Sequence, residues 1–192
     1  MSCFEPSAKS VAQQALTQFF HNALVQHQKV RNHPLPDVAN SYLADMLARQ
    51  ASFIPKVEQR DRGFFRGLSE YNELNHLKFG SEAAALSYTR LAERLLFMLT
   101  YAREHLVYRE IFRRDVSVSH LERVAQTAYS RASESVRRPS RGLSFTAENF
   151  VETEDVLRST FYFGLKHKFN HTQGIVALIA MPDELSSQPI KS

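Results

Sequence analysis

Leu91-Ala92-Glu93-Arg94-Leu95-Leu96-Phe97-Met98-Leu99-Thr100-Tyr101-Ala102-Arg103-Glu104-His105-Leu106 is the stretch on which the fold turns. Leu91, Leu95, Met98, Leu99, Ala102 and Leu106 return every three to four residues, so on a helix they share one apolar stripe. That spacing predicts the longest, central helix of the molecule. Ser81 followed by Glu82 gives it a hydroxyl N-cap and an acid in the first turn, and its pattern runs on toward Phe112.

The same period continues on both sides. Ala12, Leu16, Phe19, Ala23 and His27 predict a first helix from about Ser7 to Val30, which Asn32-His33-Pro34-Leu35-Pro36 stops, because proline lacks a donor and restricts the residue before it. Pro36 or Asp37 opens a second helix with Val38, Tyr42, Leu43, Met46 and Leu47 inward, ending near Ser52 and Pro55. Lys56 to Gly67 is charged and punctuated by glycine, a loop, and Leu68 to Leu77 reads as a short helix closed by Gly80. Ser119-His120-Leu121-Glu122 matches a capping box ahead of Leu121, Val124, Ala125, Ala128, Ala132 and Val136, a helix ended by Arg138-Pro139. From Ser144 a last long helix carries Phe145, Phe150, Leu157, Phe161, Gly164 and Leu165 inward, to Gly174. Ile175 to Met181 is too short an apolar run to assign. The expectation is an all-α, single-domain bundle of about five to six helices over residues 1–181, with a mobile tail at 182–192.

At 192 residues the chain is long enough to bury a sizeable core. Its single cysteine, Cys3, rules out an intrachain disulfide framework and favours a reducing compartment. The opening MSCFEPSAKS lacks the basic and apolar run of a secretory signal, and the longest stretch free of Asp, Glu, Lys and Arg, Ser10 to Gln28, holds too many Gln, Asn and His residues to cross a bilayer. A cytoplasmic protein with no membrane span is expected.

The motifs of several enzyme classes are missing. With six glycines there is no phosphate loop, no Gly-x-Ser-x-Gly elbow and no His-Glu-x-x-His pair, so no cofactor site is read from the sequence. His167 and His171 sit four apart on one helix face, a spacing that can hold one metal ion, but Lys166 and Lys168 flank them and no third ligand is near in sequence. The plainer reading is two solvated histidines near a helix C-terminus. Glu93 and the group Glu152, Glu154 and Asp155 read as solvated acidic faces, with no Glu-x-x-His to suggest a di-metal bundle. Arg60-Asp61-Arg62-Gly63-Phe64-Phe65-Arg66-Gly67 mixes guanidinium with aromatic rings and could stack on bases; the plainer reading is a loop pinned to the core by its phenylalanines.

Charge is unevenly spread. Between Arg109 and Arg141 stand eight arginines against four acids, which accounts for the whole formal charge of +4. Arg113, Arg114, Arg131, Arg137, Arg138 and Arg141 are the candidate partner-binding residues of this segment, toward an acidic protein surface or a nucleic acid. No helix-turn-helix spacing aims a recognition helix.

Four blocks, Tyr42-Leu43-Ala44-Asp45-Met46-Leu47-Ala48, Ala92-Glu93-Arg94-Leu95-Leu96-Phe97-Met98-Leu99, Val118 to Ala132 with Ala128-Tyr129, and Ala147-Glu148-Asn149-Phe150-Val151, resemble in order and spacing a group of uncharacterised bacterial helical proteins of about this length. The resemblance covers Asn40 to Thr160. It implies an all-α cytosolic protein and supplies no activity. The leading expectation is thus a non-enzymatic bacterial accessory or regulatory protein that binds another protein. The alternatives are a nucleic-acid-binding module using residues 109–141 and a metal-dependent helical enzyme using His167 and His171.

Overall fold

The computed structural model describes residues 8–32, 34–52, 81–114, 117–136 and 138–172. Among these there is no strand, and seven helices form an all-α bundle. They are α1 (Ala8–Arg31), α2 (Asp37–Ser52), α3 (Glu82–Tyr101), α4 (Arg103–Tyr108), α5 (Val118–Ser135), α6 (Arg141–Glu148) and α7 (Phe150–Thr160). Wide π-type turns extend α4 over Arg109–Arg113 and α7 over Phe161–Leu165, and helix resumes over 166–172. The sequence-predicted loop at 56–67, the helix at 68–77, Cys3, Arg137 and everything after Thr172 lie outside the described residues.

The count exceeds five to six because two expected long helices are divided. The helix predicted toward Phe112 breaks at Ala102, whose φ of −106° and ψ of 17° leave the helical region. The one predicted from Ser144 begins earlier, with the Ser140 hydroxyl accepting from the Leu143 amide, and divides at Asn149 into α6 and α7. Ser117, rather than Ser119, caps α5 by accepting from the His120 amide. The Glu110 carboxylate accepts from the Val118 amide at 3.0 Å, so an acid sits against the positive end of α5.

α3 occupies the centre, packed along α5 and against α7, while α2 lies along α1 and α6. It is not the longest helix, α1 having 24 residues against its 20. Leu91, Leu95, Leu99 and Leu106 are buried as their spacing requires, while Met98 is half-buried. In α1 the buried face is set by Phe20, Ala23, Leu24 and Gln28, with Phe19 largely exposed, so the stripe is turned by one residue from the expected one.

Gln28 and Asn40 brace the turn between α1 and α2. The Gln28 amide donates to Asn40 Oδ1 at 2.7 Å, its oxygen accepts from the Leu35 backbone at 2.9 Å, and Asn40 Nδ2 donates to the Leu35 carbonyl at 3.1 Å. All these groups are buried and each finds a partner. Beside this brace, Phe20, Phe97, Tyr101, Phe161 and Phe169 form an aromatic hub with ring centroids 5.0–6.1 Å apart, tying α1 and α3 to the end of α7.

Candidate functional site

The arginine-rich segment does not form one surface. Arg113 and Arg114 are exposed at the end of the π turn after α4, and Arg114 adopts a left-handed conformation as its amide donates to the Arg109 carbonyl. Arg138 and Arg141 are exposed beyond the other end of α5. Eighteen residues of helix lie between, about 27 Å at the usual rise. Arg131 faces inward instead, donating to the Tyr88 hydroxyl at 3.0 Å with its guanidinium over that ring. Arg137 lies outside the described residues.

At the first of these ends the π turn displays an apolar face. Tyr108, Ile111 and Phe112 are 53%, 59% and 70% exposed, and the rings of Tyr108 and Phe112 touch with centroids 4.8 Å apart. Three large apolar side chains at i, i+3 and i+4 form a patch rather than scattered exposure. The apolar stripe legible in the sequence ends at Leu106 and does not contain this face. The signal was available, since Tyr108, Ile111 and Phe112 share a face displaced from that stripe and stand directly beside Arg113-Arg114.

Two carboxylates expected in solvent are buried. Glu93 is 5% exposed, accepting from Arg49 Nη2 at 2.7 Å and from the Tyr42 hydroxyl at 2.9 Å. Arg49 also pairs with Asp45 one turn back. Burial holds the Glu93 carboxyl above its ordinary range even against the attraction of Arg49. Tyr129, fully buried, lies by this group, its hydroxyl making no hydrogen bond of good geometry although Tyr42 is close enough to perturb it. Burial first, then the neighbouring Tyr129 and Glu93, pushes the Tyr42 phenol far up, so both phenols keep their protons at any ordinary pH. The cluster is a neutral-phenol, carboxylate and guanidinium brace between α2, α3 and α5.

Glu154 belongs to a second network. Arg103, at the start of α4, reaches Glu122 of α5 at 2.5 Å and Glu154 of α7 at 3.4 Å, and Arg158 reaches Glu154 at 3.3 Å and also pairs with Asp155. Burial, and then Glu122, raises the Glu154 carboxyl. A groove of about 410 Å³ between α5 and α7 opens onto Glu122, Glu154 and Arg158. Arginines answer the acids here, and the one that spans both helices comes from α4. Glu152 stays exposed.

His167 and His171 are both exposed on the helix that resumes after α7, and among the described residues no group of three or more His, Cys, Asp or Glu is placed to hold a metal. No described helix is long and apolar enough to cross a membrane.

No protein-family model, curated protein or solved structure matches this chain. What its surface does is therefore a matter of its own geometry. A feature that departs from an ordinary solvated helical surface is the Tyr108, Ile111 and Phe112 face with its two arginines. Its composition is that of an interface centre, in which aromatic residues and arginine are enriched.

Proposed function

We propose that this is a non-enzymatic accessory or regulatory protein of the bacterial cytoplasm that acts by binding another protein. Tyr108, Ile111 and Phe112 bury against an apolar face of the partner, and Arg113 and Arg114 meet its carboxylates. The supporting observation is the touching, exposed pair Tyr108 and Phe112 on a π-type turn, a helical irregularity often found where helices serve a function. Exposing such rings costs solubility unless something covers them. Buried aromatic anchors supply most of the binding energy in interfaces, and rim charges supply rate and selectivity.

The test is quantitative affinity capture from the native cells with tagged wild-type protein, Phe112→Ser, Arg113→Ala/Arg114→Ala and Arg138→Ala/Arg141→Ala, each sample split and treated with or without nuclease. The expected result is loss of the captured partner with Phe112→Ser, a weaker and salt-sensitive loss with the first arginine pair, and no change with the second pair, about 27 Å away along α5. Equal recovery with wild type and Phe112→Ser would overturn the reading. Capture that vanishes on nuclease treatment would transfer the assignment to a nucleic-acid-binding module, for which affinity should fall steeply with salt.

A further inference from the structure

A second concave site lies where α1 passes the break in α7. Phe163 and Gly164 leave the helical region there, Gly164 with φ +136°, and the turn closes by a wide hydrogen bond from the Lys166 amide to the Phe161 carbonyl. Among the described residues, no atom outside its own stretch of chain lies within 4 Å of where a Gly164 Cβ would stand, so packing does not explain this glycine. Backbone conformation does, and the missing side chain leaves the space open. The result is a groove of about 420 Å³, within the size range of small-molecule sites.

Its walls combine a flat apolar body with one cation. Ala23, Val30, Phe163 and Leu165 provide the apolar lining, and the His27 ring stacks on Phe163 at 5.9 Å and 21°, which fixes a planar edge. Val30 and Phe163 remain 80% and 52% exposed, so this lining faces solvent. Lys168 stands in the same lining, exposed, with no ion pair among the described residues and no carboxylate beside it in the groove. Lys166, two residues earlier, is by contrast engaged by Glu104 at 3.3 Å and by the Tyr101 ring.

We propose that this groove is a binding site for a small aromatic acid. The ring system lies on Val30 and along the Phe163–His27 stack, and the carboxylate reaches Lys168. A flat ring matches a planar apolar wall, and an anion matches a lining in which Lys168 is the one Lys, Arg, Asp or Glu among the described residues.

The test is calorimetric titration of the whole protein with naphthoate and with neutral naphthalenemethanol, which share a ring system and differ in charge. Wild type is expected to bind naphthoate with one-to-one stoichiometry and naphthalenemethanol about tenfold more weakly or worse. Lys168→Glu and Val30→Glu, both at exposed positions, should each weaken naphthoate by at least about tenfold with unchanged helical circular dichroism, while Phe112→Ser should bind as wild type. Undetectable or non-saturable binding, equal affinity for the two probes, or loss in Phe112→Ser with retention in Lys168→Glu would each overturn the assignment.

Discussion

At the scale of single residues, the consequential surprise is Glu93. Its folded-state carboxyl keeps its proton to higher pH than the same group in the unfolded chain, because burial outweighs the help of Arg49 and Tyr42. Through the window from the ordinary carboxylate range up to the raised value the folded state binds more protons, so stability falls as pH rises through that window. Glu154, raised by burial and by Glu122, adds a fall of the same sign. Urea midpoints measured between about pH 4 and pH 8 should therefore fall less for Glu93→Gln than for wild type, and least for the Glu93→Gln/Glu154→Gln double variant. A Glu93→Gln slope equal to that of wild type would mean that Glu93 titrates alike in both states. None of this was legible in the sequence, because an acid's burial depends on partners far along the chain. Arg49 and Tyr42 stand 44 and 51 positions from Glu93, whereas local pattern gives Arg90 and Arg94.

At the scale of elements, two glycines carry opposite lessons. Gly142 in α6 is needed for close approach, since a Cβ there would stand 2.4 Å from Tyr42 Cβ and 2.6 Å from the Val38 carbonyl oxygen of α2. Gly142→Ala should push α6 off α2 and cost about 1–3 kcal/mol in urea unfolding. Gly164 has open space around it but a backbone angle that side-chain-bearing residues rarely adopt, so Gly164→Ala should cost about 1–3 kcal/mol through strain alone. An unchanged unfolding midpoint in either variant would refute the corresponding account. The helices themselves were largely legible. Asp37 opens α2 and Ser52 ends it as read, and Ser81 caps α3 with its hydroxyl on the Ala84 amide. What pattern reading could not settle was phase and breakage. Phe19 and Phe20 are equally apolar neighbours, and Phe20 is the one buried against the Phe169 ring. The breaks at Ala102 and Asn149 carry no proline, and at Asn149 the side-chain amide donates to the Phe145 carbonyl at 3.1 Å.

At the scale of the whole molecule, one contiguous core runs from Phe20 through Leu43, Leu95 and Ala128 to Phe169, so every described helix of the bundle except short outward turns shares buried surface with the rest. The apolar period found in the sequence forecasts such a core, but it says nothing about how surface features are distributed around it. The exposed arginines Arg113, Arg114, Arg138 and Arg141 stand at the two ends of α5, while the Tyr108–Phe112 pair stands at only one. The shared core also fixes how the molecule should unfold. Phe169 is fully buried and touches rings from α1, α3 and the end of α7, so Phe169→Ala opens a cavity at the junction of three elements and should cost about 3–5 kcal/mol. If the core is a single cooperative unit, far-UV circular dichroism and tyrosine fluorescence will report coincident urea transitions in wild type, and the variant will shift both together. Seven tyrosines and no tryptophan make the fluorescence probe report from several helices at once. A variant in which the two signals separate would show that the end of α7 detaches before α3 and α5 melt, and that the groove beside Gly164 sits on a sub-unit of stability distinct from the central helices.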